Sequence, residues 1–187
     1  MQTETFDVQG PVLFTPRRFG DARGYFMETF RASTFREAVG DDAPAFVQDN
    51  QSLSARKGTV RGLHFQSPPH AQGKLVRCSQ GRILDVAVDA RRGSPTFGQH
   101  VAVELSADNA AQLWVPVGFL HGFSTLEDDT VVQYKCTDYY AADCDGTVAW
   151  DDPDLGIYWG IDPQRAIVSA KDAAAPRFAD FGSPFPA

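Results

Sequence analysis

Residues 58–89 read GTVRGLHFQSPPHAQGKLVRCSQGRILDVAVD. Two short strand-like runs, residues 59–65 and 74–78, flank a loop rich in Pro and Gly, and a third run follows at 82–89. In that third run Leu84, Val86 and Val88 fall on one side and Ile83, Asp85, Ala87 and Asp89 on the other, the period of two expected of a β-strand. Residues 100–105 alternate in the same way, and further runs follow at 112–115, 119–126 and 130–137. Short strands at this spacing, broken by Gly, Pro and Asp-Asp, predict a sandwich or barrel and not βαβ units.

Away from this centre the pattern is weaker. Residues 12–14 and 25–30 are strand-like, with 19–24 as a break between them. Residues 33–39 predict a short helix, because Thr34 and Glu37 match a capping box and Gly40 can end it. The polar row Gln48-Asp49-Asn50-Gln51 reads either as a loop or as amides lining a pocket. Beyond Tyr140 the runs 143–146 and 151–154 are turn-like, 155–159 offers one last strand, and a helical turn starts near Ser169. The whole is expected to be a single domain: N-terminal strands and helix (1–45), a core (46–140) and a C-terminal extension (141–187).

The 187 residues suffice for a sizeable core, and 43% hydrophobic against 22% charged residues is an ordinary globular balance. Aromatics reach 12%, with 14 Phe, which leans towards β structure. A formal charge of −7 argues against binding to nucleic acid or acidic membranes, though a local Arg/Lys cluster can still hold an anion. Cys78, Cys136 and Cys144 follow no CxxC spacing and read as thiols of a reducing cytosol. Neither a signal peptide nor an 18-residue apolar run is visible, so a cytoplasmic protein is expected.

Four histidines are available, His64, His70, His100 and His121, yet no HxH or HxxxH pair occurs. That spacing gives a metal site no support. A Gly-x-Ser-x-Gly elbow and a phosphate-binding P-loop are both missing. Acid/base chemistry remains. Lys74 shares strand parity with Val76 and Cys78, and Tyr134 with Val132 and Cys136, so both are expected to point inward with His64 close by. An inward lysine needs an anion near it, and a mid-strand Asp85 needs a partner, with lysine or arginine expected. Taken singly, each of these residues is more often structural than catalytic.

The run Val60-Arg-Gly-Leu-His-Phe-Gln66 resembles the dTDP-4-dehydrorhamnose 3,5-epimerase family. The resemblance extends over nearly the whole chain, through Arg23-Gly-Tyr-Phe-Met-Glu28, Gln48-Asp-Asn50, Pro68 to Arg77, Asp85 to Asp89, Gly118-Phe-Leu-His-Gly-Phe123, Tyr134 to Tyr140 and Ser169 to Pro176. It implies a mainly β, cupin-like jelly-roll barrel, a homodimer, no metal and no cofactor. The implied substrate is a dTDP-4-keto-6-deoxyhexose, inverted at C3 and C5 on either side of the C4 ketone.

By the same matching His64 is the general base and Asp172 its carboxylate partner. Lys74 stabilises the enolate oxygen, and Tyr134 is the acid that returns a proton to the opposite face. Arg23, Glu28, Gln48, Asn50, Arg61, His121, Asp145 and Lys171 would contact substrate, Arg23 and Arg61 as diphosphate partners. Tyr140 would line the pocket and Asp85 would support it. The chain departs from the family pattern at Gln51, Phe65, Leu120 and Asp145, all expected near the pocket.

The nearest alternative is a relative acting at C3 or C5 alone. A metal-dependent cupin enzyme and a non-catalytic sugar-binding barrel are the alternatives of other classes. Two further expectations concern geometry. The residues up to Phe30 could add to a neighbour's sheet and carry Arg23 and Glu28 into its site. Arg61 and His64 lie three apart, so a regular strand would point them to opposite faces; a shared site requires a bulge or twist near Gly62.

Overall fold

The computed structural model describes residues 1–186. Thirteen strands, numbered in chain order, are β1 (Gln2–Thr5), β2 (Val12–Thr15), β3 (Arg18–Asp21), β4 (Gly24–Met27), β5 (Gln48–Ser54), β6 (Val60–Gln66), β7 (Lys74–Gln80), β8 (Arg82–Asp89), β9 (His100–Ser106), β10 (Gln112–Val115), β11 (Phe119–Thr125), β12 (Thr130–Cys136) and β13 (Asp145–Thr147). Two helices, α1 (Ala32–Val39) and α2 (Ala170–Ala173), complete the set with three short 3-10 turns. A six-stranded sheet runs β1-β2-β10-β7-β12-β5 and a five-stranded sheet β13-β6-β11-β8-β9, with β3-β4 as a separate hairpin. Every pair is antiparallel. The expected cupin-like barrel is therefore present.

Alternation along the strands makes three apolar layers. Between the sheets Val76, Cys78, Ala87, Val101, Leu105, Leu113, Val115, Phe119, Phe123 and Val132 form one cluster. On the outer face of the five-stranded sheet Val60, Leu63, Val86, Val88 and Leu120 pack against Val148, Trp150, Leu155, Trp159 and Phe185 of the C-terminal extension. This cover explains why β8 and β11 are almost continuously buried, since both their faces are out of water. The third layer holds α1 on the outer face of the other sheet, through Phe35 against Phe14, Leu75 and Trp114.

Several local expectations change. The helix starts at Ala32 with Arg31 as its N-cap and no side-chain cap bond, so Thr34 and Glu37 form no capping box. Packing decides instead: Phe35 is buried, with ring centroids 5.0 Å from both Trp114 and Phe46. Burying a Phe is worth about 1.5–3 kcal/mol against about 1 kcal/mol for a cap. Gly40 does end the helix, with φ 119°. The stretch read as a break at 19–24 holds the end of β3, the Ala22-Arg23 turn and the start of β4, and the polar row left open between a loop and a pocket lining is strand β5, paired with β12 over its whole length. No strand forms at 155–159, where Leu155 is buried in a turn and Trp159 in irregular chain, and the Trp159 indole donates to the Trp150 carbonyl at 2.8 Å. The thirteenth strand lies in the stretch read as a turn, where Gly146 leaves room for the Phe65 ring: a Cβ there would stand 2.2 Å from it.

No helix among the described residues is long and apolar enough to cross a membrane.

Candidate active site

The expected bulge is present. The β6-β11 register shifts between His121 and Phe123, opposite Gly62, whose φ is 143°. A Cβ on Gly62 would stand 2.6 Å from the Gly122 Cα, so only glycine lets the two strands approach this closely. After the bulge His64 faces the interior beside its register partner His121. Arg61 reaches the rim of the opposite sheet, where Nε donates to Ser54 Oγ and Nη2 to the Leu53 carbonyl, both at 3.2 Å.

The wall formed by the five-stranded sheet carries two His–Asp pairs. His64 Nε2 lies 2.6 Å from Asp172 Oδ1, and His121 Nε2 lies 2.8 Å from Asp85 Oδ1. Asp172 comes from α2, whose N-cap Ser169 accepts the Asp172 backbone N–H at 3.1 Å and so fixes that short turn. Its carboxylate is 3% exposed while the His64 side chain is 33% exposed, so the imidazole keeps one edge open to solvent. Asp85 had lysine or arginine as its expected partner; the register of β8 on β11 supplies His121 instead. Asp145 on β13 takes a hydrogen bond from the Lys171 ammonium and one from Tyr140 Oη at 3.4 Å.

The opposite wall, from the six-stranded sheet, carries Lys74, Tyr134, Cys136, Gln48 and Asn50. Lys74 Nζ sits 5.9 Å from the centroid of the Tyr134 ring. Gln48, Asn50 and Ser52 are the half-buried members of β5, whereas Asp49 and Gln51 are exposed on its outer side. Of the four departures from the family pattern only Asp145 faces the cavity. Phe65 packs on Phe181 and Phe185, Leu120 belongs to the layer under the C-terminal extension, and Gln51 accepts from Gln133 on the outer surface. The expectation that all four lie near the pocket is therefore corrected.

Arg23 and Glu28 stand apart from this cluster. They lie on and just after the β3-β4 hairpin, where Arg23 pairs with Asp21 and Glu28 with Arg31. Phe19, Tyr25 and Phe26 on the same hairpin are exposed. Cys136 was missed as a site residue. Its parity with Tyr134, already noted, was the signal that places it inside.

Electrostatics suit proton transfer. Burial lowers the His64 pKa from the ordinary 6.5, with Asp172 pulling the other way and Lys74 and Lys171 adding to the fall. The ring is then neutral near pH 7 and able to accept a proton. Burial also lowers Lys74, and the Asp145 and Asp85 carboxylates oppose the fall. Burial raises the Tyr134 phenol, which keeps its proton available, although Arg61 acts against the rise. A base on one wall with an ammonium and a protonated phenol on the other can remove a proton next to a carbonyl, hold the enolate, and return a proton from the far side. Among the described residues no group of three His, Cys, Asp or Glu side chains converges in a way that could hold a metal ion.

Comparison with known proteins gives a consistent picture. The family model described as dTDP-4-dehydrorhamnose 3,5-epimerase matches residues 5–180. A dTDP-4-dehydrorhamnose 3,5-epimerase of Sinorhizobium fredii is 53% identical over 94% of this chain and 89% of its own. One of Salmonella typhimurium is 51% identical over 88% of each chain. The solved structure of a dTDP-6-deoxy-D-glucose-3,5-epimerase from Legionella pneumophila, in complex with dTDP-4-keto-L-rhamnose, superposes with a TM-score of 0.92 at 41% identity, covering 99% of this chain and 97% of that one.

Proposed function

The chain belongs to the dTDP-4-dehydrorhamnose 3,5-epimerase family, and we propose that it converts dTDP-4-dehydro-6-deoxy-D-glucose into dTDP-4-dehydro-L-rhamnose. It is an isomerase, and the reaction moves protons only. The observation that carries the mechanism is the division of labour between the walls: the His64–Asp172 pair on one, Lys74 beside Tyr134 on the other.

In this reading the C4 ketone lies against Lys74, and the His64 ring takes the proton from a neighbouring carbon. The C–H electrons pass into an enolate, whose oxygen the Lys74 ammonium stabilises as charge develops. Asp172 stabilises the resulting imidazolium. Tyr134 gives its phenolic proton to the carbon from the opposite wall, which inverts it; solvent then reprotonates the phenolate and takes the proton from His64. The same sequence applies on either side of the ketone. Gln48, Asn50, Arg61, His121, Tyr140, Asp145 and Lys171 contact the sugar nucleotide, with Arg61 on the diphosphate because guanidinium pairs bidentately with phosphate oxygens. Lys74 supplies the charge that a metal would otherwise supply, so neither metal nor cofactor is needed. Elemental analysis of active protein showing a stoichiometric metal would remove that part.

Incubation with the keto sugar nucleotide in deuterium oxide, read by NMR, tests the reaction. Deuterium at both C3 and C5 is expected. Label at one carbon alone would make the protein a single-position epimerase, and label at neither would defeat the reading.

The active form is a homodimer in which the β3-β4 hairpin inserts into the partner's site. Support comes from its exposed aromatics and from Arg23 and Glu28, which pair only locally within the chain. Arg23→Ala and His64→Ala chains, each weak alone, should regain activity when refolded together, because one mixed site is then intact. No recovery in verified heterodimers would refute the shared site.

A further inference from the structure

Resting on the epimerase reading, we propose that Cys136 is a positioning residue: its sulfur fixes which edge of the Asn50 amide faces the substrate. Cys136 is wholly buried on β12, with Gln48 of β5 as its register partner on one side and Lys74 of β7 on the other. It shares strand parity with Tyr134, so the thiol lies on the cavity side of the sheet.

Three hydrogen bonds run in sequence towards it. The Tyr140 backbone N–H donates to Gln48 Oε1 at 3.1 Å, Gln48 Nε2 donates to Asn50 Oδ1 at 3.2 Å, and Asn50 Nδ2 donates to Cys136 Sγ at 3.5 Å. A primary amide has one acceptor oxygen and two N–H groups. With the oxygen of Asn50 engaged by Gln48 and one N–H by the sulfur, the other N–H remains for a ligand. Gln48 is left in the same condition.

The inner face of β5 therefore offers donors to an acceptor-rich ligand, the chemistry of carbonyl, hydroxyl and phosphate oxygens. Turning the Asn50 amide over would set Nδ2 against Gln48 Nε2, donor against donor, and would give up the N–H bond to the sulfur for a contact with a weak S–H donor. Burial keeps the thiol protonated by raising it above its ordinary value, with the Lys74 charge opposing. A neutral sulfur still accepts the Asn50 bond, and it does not neutralise the neighbouring Lys74, whose charge the enolate requires. Cys136 touches no reacting atom in this scheme; it acts through Asn50.

Steady-state kinetics of Cys136→Ala, Cys136→Ser, Asn50→Ala and the double variant Cys136→Ala/Asn50→Ala test this. Losing one oriented hydrogen bond should raise KM about fivefold to tenfold in Cys136→Ala, with kcat within about twofold of wild type. Cys136→Ser retains an acceptor and should restore most of the affinity. In the Asn50→Ala background the Cys136→Ala change should have no further effect on KM, since the two act as one unit.

Unchanged KM in Cys136→Ala, or additive effects in the double variant, would overturn the proposal. So would equal losses in kcat for Ala and Ser that track a fall in melting temperature, the mark of a merely structural residue. A wild-type protein that leaves the substrate unchanged would remove the epimerase reading and this inference together, whereas an active wild type with an indifferent Cys136 removes only the inference.

Discussion

Replacing Asp172 with Asn keeps the shape of the residue and removes one charge, which makes it the sharpest probe of the proposed base. The carboxylate is almost wholly buried and stands 2.6 Å from His64 Nε2. The α2 turn should survive, because the bond from the Asp172 backbone N–H to Ser169 Oγ does not involve the altered side chain. A hydrogen bond to a charged group is worth about 1.5–3 kcal/mol, so loss of the imidazolium partner should lower kcat about 10- to 150-fold.

The pH dependence carries a second signature with a definite sign. His64 must be neutral to act, and burial already holds its pKa below 6.5, so the acid limb of the wild-type profile should lie below that value. Asp172 is the group that raises this pKa, which means that the Asn variant should titrate lower still. Its plateau falls while its acid limb moves to more acidic pH. NMR-monitored C3 and C5 exchange across pH 4.5–9 would measure both. A plateau equal to wild type, or a limb displaced to higher pH, would refute the assigned roles of His64 and Asp172.

Tyr134→Phe should reduce net inversion about 10²- to 10⁴-fold by deleting the proton donor. Its melting curve should stay close to wild type, and deuterium should still enter unepimerised substrate; inversion at the wild-type rate would eliminate Tyr134 as the acid. Gly62→Ala forces a Cβ against the Gly122 backbone at 2.6 Å and places alanine at φ 143°, so chemical denaturation should show a loss of at least about 2 kcal/mol, and an unaltered midpoint would contradict the close-approach argument. Asp89 offers a test of stability away from the site. Burial pushes its carboxyl up, but hydrogen bonds from Arg91, Ser94 and Thr96 outweigh this and bring it down to about 2 from an ordinary 3.8. A carboxylate depressed in the fold contributes stability above its unfolded pKa and loses it as pH falls. The wild type should therefore exceed Asp89→Asn by about 2 kcal/mol at pH 7, and the gap should close between about pH 4 and pH 2; a constant gap would show that charge is not the cause.

Strand periodicity made the barrel legible because most strands bury at least one face. Residues 82–89 were read to the residue, and the parity of Lys74 and Tyr134 put both inside. Strand β5 was left open between a loop and a pocket lining because its inner face is polar and its outer face meets water, leaving no apolar alternation to detect. The helix boundary was misread because a capping pattern was given more weight than the aromatic packing of Phe35, a contact between distant segments. The same parity rule, applied to Phe65 and Leu120, would have turned them away from the cavity; closeness in sequence to His64 and His121 suggested the opposite. Partner choice was beyond the sequence. His64 and Asp172 are 108 positions apart and their pairing rested on family resemblance, and the His121–Asp85 contact depends on the β8-β11 register.

The stereochemical demand of the reaction is a demand on architecture. A single group that both removes and returns a proton works from one side and tends to restore the starting configuration, so inversion needs two groups facing one another across the ring. One strand cannot supply them, and neighbours in one sheet, such as His64 and His121, approach from the same side. Two packed sheets can, because their mean planes lie about 10 Å apart and side chains from both reach into the gap. The apolar plug of Val76, Ala87, Leu113 and Phe123 fixes that separation, while the Gly62 bulge lets His64 enter from one wall and Arg61 reach the rim of the other. On this argument a substitution that shifts the sheets, even one far from any polar group, should impair inversion more than proton removal, since removal needs one wall and inversion needs both.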